Sequence, residues 1–351
     1  MTTIPLNSNA AEKLKVFTWD GYVLPEEVIE VNKILKQQSY DIEVEVITPW
    51  AEGPAQMYDI IRSGKCDISF LTLNYIKMQS ERTALLLQPI NTSSPRLTNY
   101  KHLRPELTNI SMGERNNKPL YIPFGGGAYG LWANMNKLKE SDLPKSYIDL
   151  LLPKWKGRYS LSKAQIQPNI AIALMTLNKS AFYLNDLVVG GKRESVMEFS
   201  DPNGSLQKRV NEFYANAGDF WGSAPNYNLD IEASYGIEIV SQNEKGGKWK
   251  LISFKEPNTV WMDTINFHKD LQGKKLEAAE IFANFFISKQ VQTRVVNKLG
   301  MVSVSKLVDS NPLIDQNPNF FNKDLFWPPY DKSTDNIMTS LSDRALKKIG
   351  K

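Results

Sequence analysis

Apolar and polar positions alternate with two different periods along the first 75 residues. Leu14-Lys15-Val16-Phe17-Thr18-Trp19 has the short apolar period of a strand, and the fold is expected to begin near Leu14. Pro25-Glu26-Glu27 then opens a helix: proline suits the first turn, and two carboxylates sit at the positive end of the helix dipole. Val28, Val31, Ile34 and Leu35 fall on one face of that helix. Ile42, Val44 and Val46 alternate as a second strand, residues 55–62 form a second helix, and 67–71 read as a third, buried strand. A β-α-β-α-β order predicts parallel strands joined by right-handed crossovers. Ligands of such sheets bind beyond the carboxyl ends of the strands, which places residues 19–22 and 72–74 at one rim.

Farther on, Gly125-Gly126-Gly127 interrupts an apolar segment, so a hinge or ligand-edge loop is expected there rather than a packed interior strand. A strand near 131–134, a turn at 152–157, a helix over 169–177, a helix ahead of Asp219, and a strand at Ile237-Glu238-Ile239-Val240 before the turn-rich 243–248 describe a second α/β unit. Leu276, Ala279, Phe282, Ala283 and Phe286 make one helical stripe. Val291, Val295, Val296 and Leu299 make another, stopped at Gly300.

Composition narrows the chemistry. At 351 residues the chain has room for about two domains. Its 42 basic and 38 acidic residues are intermixed, which argues against nucleic acid as a partner. No apolar run reaches the roughly 20 residues of a membrane span, and residues 1–13 are polar and aperiodic, so they read as a disordered lead-in without an export signal. One cysteine, Cys66, and two histidines, His102 and His268, leave little material for a zinc site or a histidine-based triad, and no metal or cofactor is expected. Cys66 precedes the third strand at the end away from the rim and reads as a structural thiol. The glycine run lacks the Lys-Ser/Thr ending of a phosphate loop.

Five segments in order resemble the spermidine/putrescine-binding type of extracellular solute-binding protein, the receptor subunit of ATP-binding-cassette importers. They are Phe17-Thr18-Trp19-Asp20-Gly21-Tyr22-Val23-Leu24-Pro25, Asp67-Ile68-Ser69-Phe70-Leu71-Thr72, Ile122-Pro123-Phe124 with Pro153-Lys154-Trp155-Lys156-Gly157, Val260-Trp261-Met262-Asp263, and residues 286–292 running to Leu299-Gly300. The resemblance implies the two-lobed type II periplasmic-binding-protein fold, each lobe a mostly parallel sheet flanked by helices. Lobe one would be 14–128 plus 263–309, and lobe two 129–262 plus 310–351. It also implies export to the periplasm or the outside of the cell, and a membrane permease as partner. A membrane sensor is the alternative partner, and an enzyme on the same fold is a third reading.

By the same resemblance Trp19, Trp261 and Asp263 line the ligand cleft, with Thr72 and Asn74 contributed by the loop after the third strand. Tryptophan faces attract an alkylammonium, and a buried ammonium needs a carboxylate, for which Asp263 and then Asp20 are the candidates. Residues 161–169, where polyamine binders place carboxylates, contain none. A small cationic or zwitterionic metabolite is therefore expected, from the polyamine, diamine, betaine or amino-acid-derivative classes. Ser162, Gln165 and the backbone of Gly126 and its neighbours would hold a polar or anionic end. Tyr22, Tyr129, Trp221 and Tyr235 complete the expected lining; the tyrosines would also be needed for ferric iron, against which the tryptophans argue.

Overall fold

The computed structural model describes residues 11–78, 82–308 and 320–351; the first ten residues of the expected lead-in and the expected lobe boundary at 309/310 lie outside them. The first β-α-β-α-β stretch forms as its periodicity dictates: β1 (Glu12–Phe17), α1 (Pro25–Gln37), β2 (Ile42–Val46), α2 (Pro54–Arg62) and β3 (Ile68–Thr72). Strand β1 begins two residues ahead of Leu14, because Glu12 and Lys13 already pair with Ile42 and Glu43. β1 runs parallel to both β2 and β3.

After a short helix, α3 (Pro105–Thr108), and a small hairpin, β4 (Glu114–Arg115) with β5 (Lys118–Pro119), the glycine run departs from expectation. Ile122–Asn134 is one continuous strand, β6, buried along nearly its whole length, and the separate strand expected at 131–134 is its far end. The glycines are there because neighbours occupy the space a side chain would need. A Cβ on Gly125 would lie 2.8 Å from Met301 Sδ, one on Gly126 would lie 2.6 Å from the Trp261 carbonyl oxygen, and one on Gly127 would lie 2.6 Å from the Trp261 ring. The rule that glycine weakens a strand yields here to close approach of a partner.

The second unit contains β7 (Ser160–Ser162), α4 (Gln167–Met175), α5 (Tyr183–Val189), α6 (Arg193–Glu198), α7 (Ser205–Asn216), β8 (Asp219–Trp221) and β9 (Ile231–Ser234). The strand expected at 237–240 is absent. Ile239 and Val240 enter a short helix, α8 (Ile239–Glu244), and Ile237 lies in the turn before it, while the true strand is β9, whose inward Glu232 hides its apolar pattern. β10 (Trp249–Leu251) and β11 (Thr259–Phe267) follow, then α9 (Gly273–Phe286), α10 (Lys289–Leu299), β12 (Val302–Ser303) and a C-terminal helix, α11 (Lys332–Lys348). Ser288 caps α10 at its start, and Gly300 ends it in the left-handed conformation at φ +62°.

The main sheet has the order β10-β6-β11-β3-β1-β2, with β9 and β12 also on β6. It is mixed rather than mostly parallel: β11 runs antiparallel to both β3 and β6, while β7 and β8 form a separate parallel pair. Two large hydrophobic clusters form on this frame, beside a small third one of Trp132, Ile239 and Trp249. One gathers residues from Leu14 to Ala128, from Val260 to Val304, and Phe320, Phe321 and Phe326; the other gathers residues from Tyr129 to Ile252 and from α11. The chain at 320–326, expected with the second unit, thus packs on the first. β6 passes from the first cluster at Ile122–Ala128 into the second at Tyr129–Ala133, and β11, whose core residues belong to the first cluster, pairs with it from Thr259 to Ile265 with a register shift between Asp263 and Thr264. Among the described residues no helix is long and apolar enough to cross a membrane.

Candidate functional site

A cavity of about 990 Å³ opens where the clusters meet, at the carboxyl ends of β1 and β3. Trp19, Asp20 and Tyr22 reach it from the turn after β1, and Thr72 and Asn74 from the end of β3. Trp261 and Asp263 enter from β11, and Gln165, Trp221 and Tyr235 from the second cluster. Three expected residues do not line it. The amides of Gly126 lie in the ladder with β11 and β12, which removes that backbone as an anion cradle. Tyr129 is buried behind the wall with its hydroxyl on Asn169 Oδ1 at 3.0 Å. Ser162 is fully buried in β7, where its hydroxyl accepts the Gln165 amide at 3.1 Å.

Asp263 sits at the register shift of β11 and is only 4% exposed. Tyr22 donates a short hydrogen bond to Oδ2, while Oδ1 is buried without a partner among the described residues. Burial pushes the carboxyl up to about 6, against the pull of the Tyr22 and Thr72 hydroxyls. Burial likewise holds the Tyr22 phenol well above its ordinary value, with the Asp263 charge adding to the effect. Tyr22 is fixed from behind: its ring meets Phe70 edge-on and Phe124 at 5.1 Å, and its carbonyl accepts from Arg294 Nη2 at 2.7 Å. Arg294 also holds the Gly21 carbonyl at 3.0 Å and grips Glu27 through Nε at 2.6 Å and Nη2 at 2.9 Å. One guanidinium therefore ties α10 to the turn that carries Trp19, Asp20 and Tyr22.

The walls are aromatic. The Trp261 ring lies on Gly127, and Tyr235 stands edge-on to both Trp261 and Trp221, at 6.4 Å in each case. Residues that sequence reasoning missed join them: Tyr75 beyond β3, and Trp327, Tyr330 and Asp335 from the C-terminal segment. Glu52 and Glu238 also reach the cavity. Among the described residues the lining includes five acidic side chains, Asp20, Glu52, Glu238, Asp263 and Asp335, and no lysine, arginine or histidine. No group of three or more acidic, histidine or cysteine residues converges as a metal site among the described residues. Cys66 lies on the far side of β3 from Thr72, buried, its thiol pushed up to about 12 by burial.

This arrangement, a mixed α/β frame with a cavity where two hydrophobic clusters meet, is the type II periplasmic-binding-protein fold. The chain belongs to the bacterial extracellular solute-binding protein family, whose model matches residues 86–326. Solved structures agree on the fold. The spermidine/putrescine substrate-binding protein PotD of Streptococcus pneumoniae is 17% identical with a TM-score of 0.71, over 96% of this chain and 99% of that one. The PotD lipoprotein of Treponema pallidum is 12% identical at TM-score 0.64, over 96% and 99%. Iron-bound HitA of Pseudomonas aeruginosa is 16% identical at TM-score 0.59, over 97% and 100%. No curated protein sequence gives a significant match.

Proposed function

We propose that the chain is the receptor of an ATP-binding-cassette importer, capturing a small organic cation outside the cytoplasmic membrane and handing it to the permease. The observation that carries this reading is the sign of the cavity. Its charged lining is wholly acidic among the described residues, although the chain as a whole is +4. An anionic or strongly zwitterionic ligand would need a cationic partner there, because an unpaired buried charge costs several kcal/mol. The anion-holding backbone expected at Gly125–Gly127 is engaged in the sheet.

The aromatic walls suit the methylene and ammonium parts of such a ligand, each cation contact contributing about 0.5–2 kcal/mol according to desolvation. Ferric iron is less well served, since Tyr22 is committed to Asp263 and Tyr129 to Asn169. In this reading the two clusters act as lobes that close on the ligand, with β6 running from one to the other. Isothermal titration calorimetry with a monoamine, a diamine, a betaine, a dicarboxylate, phosphate and ferric ion tests the proposal. Saturable binding confined to the organic cations supports it. Binding confined to the anions or the metal overturns it.

A further inference from the structure

The positive charge that the cavity lacks is gathered elsewhere. Residues 137–158 carry six basic side chains against three acidic ones, and none of these residues lines the cavity. Their centre is a short 3-10 helix, Tyr147–Leu151, running on through Leu152 into the turn Pro153–Trp155. Tyr147, Leu150 and Trp155 point into the second cluster. The Tyr147 ring stacks on Phe254 at 4.1 Å and its hydroxyl donates to Asn258 Oδ1 at 2.8 Å, which fixes the helix on its support. With those positions committed to the core, Ile148 and Leu152 are left outside, 38% and 47% exposed.

The acidic groups around this edge are engaged. Glu140 grips Lys250 with both carboxylate oxygens at 2.9 Å, and Asp149 Oδ2 accepts the amides of Lys145 and Ser146 at 2.9 and 3.0 Å. Asp142 accepts from the Ser141 hydroxyl at 3.2 Å. Asp230 pairs with Lys137 and Arg158, and Glu256 accepts the Ser146 hydroxyl at 2.6 Å and the Tyr147 amide at 3.2 Å. Lys139, Lys145, Lys154 and Lys156 are exposed, and among the described residues no carboxylate pairs with any of them. Other exposed apolar side chains have acidic neighbours instead: Ile29 adjoins Glu30 on α1, and Met197 adjoins Glu198 on α6.

We propose that this edge is a membrane-contact surface, on which Ile148 and Leu152 enter the headgroup boundary of an anionic bilayer and the four lysines face lipid phosphates. Exposed apolar side chains beside uncompensated lysines are the pattern that holds a soluble domain at a charged lipid surface. The cation type fits as well: lysine is a flexible point charge suited to a fluid array of phosphates, and the one arginine of the stretch is tied to Asp230. Contact through this edge would keep the receptor beside its permease, and it does not depend on which solute the cavity takes.

Flotation of the full chain with vesicles of phosphatidylcholine, alone or mixed with phosphatidylglycerol, tests this with no solute present. The wild type is expected to float with the mixed vesicles in about 0.05 M salt, to be largely released in about 0.5 M salt, and to ignore pure phosphatidylcholine. Lys145→Ser with Lys156→Ser is expected to lower partitioning about tenfold or more, since each lysine near such a surface contributes about fivefold. Ile148→Ser with Leu152→Ser is expected to lower it about threefold or more. Lys33→Ser with Lys36→Ser, the same charge change on α1, is expected to leave it within about twofold. Circular dichroism melting checks that each variant keeps its fold. No flotation with the mixed vesicles, or equal losses in the two lysine pairs, would overturn the proposal. Absence of flotation together with retention on a poly-L-glutamate resin, lost in Lys145→Ser with Lys156→Ser, would overturn it in favour of an acidic protein partner.

Discussion

The two walls of the cavity are built in opposite ways. The first is a chain of direct ties: Glu27 to Arg294, Arg294 to the carbonyls of Gly21 and Tyr22, and Tyr22 to Asp263. The second is assembled from aromatic edges, Tyr235 on Trp221 and Trp327 on Phe182, and from a helix whose sequence lies over 150 residues from α4, with Gln167 of α4 bonded to Asp335. A wall of hydrogen-bonded ties is geometrically exact and fails as a unit. A wall of ring edges tolerates the loss of any one member, since each aromatic contact contributes only about 0.5–1.5 kcal/mol beyond its buried area.

That contrast can be broken at its strongest point. Arg294→Ala strands Glu27, whose carboxyl burial already lifts above its usual range, and is expected to cost about 3–5 kcal/mol of stability, read from the urea unfolding midpoint. A loss below about 1 kcal/mol would mean that the ties of the first wall are decorative. Asp263→Asn is expected to weaken a cationic ligand by about 2–5 kcal/mol in calorimetry without unfolding the chain, and unchanged affinity would remove Asp263 from the site.

The same carboxylate gives a pH signature. Its folded value of about 6 lies above the ordinary 3.8, so the folded ligand-free chain holds a proton that the unfolded chain releases. Asp263 alone therefore makes stability fall as pH rises from near 3.8 to near 6, and a bound ammonium, which needs the ionised form, reverses that preference. Affinity should drop by about tenfold per pH unit below pH 6, and a flat profile between pH 5 and 7 would show that the cation does not meet Asp263. Trp221→Ala, in the tolerant wall, is expected to cost only about 1–2 kcal/mol of binding; an effect matching that of Asp263→Asn would erase the distinction between the walls. Cys66→Ser is the smallest expected change, leaving affinity within about 0.5 kcal/mol because Cys66 lies two residues ahead of β3, whose far end is Thr72.

The same division explains what could be read from the sequence. The first wall was legible because its pieces sit at the ends of strands with clear periods: Trp19 and Tyr22 follow β1, Thr72 ends β3, and Trp261 and Asp263 carry a recognisable local pattern. The glycine run was misread because its meaning lies in Trp261 and Met301, more than 130 residues away, whose atoms fill the space side chains would take. Ile237–Val240 misled because four apolar-rich residues fit a strand or a helix equally, while β9 carries a buried Glu232 that breaks the apolar pattern. Trp327 and Tyr330 lie in the irregular segment between Phe326, which bridges to Val260, and α11, and Asp335 lies in the first turn of that helix. No local rule points a C-terminal segment back into a cleft.

An acidic hollow in water is never bare. The negative field of these carboxylates draws small cations from the surrounding solution toward the cavity, and an entering amine competes with them. Capture is then an exchange, like that on a cation-exchange resin, with an apparent strength set by what it displaces as well as by what it touches. Because the Debye length shrinks from about 30 Å at 0.01 M salt to about 8 Å at 0.15 M, the same receptor would collect its cargo far more readily from a dilute medium than from a saline one.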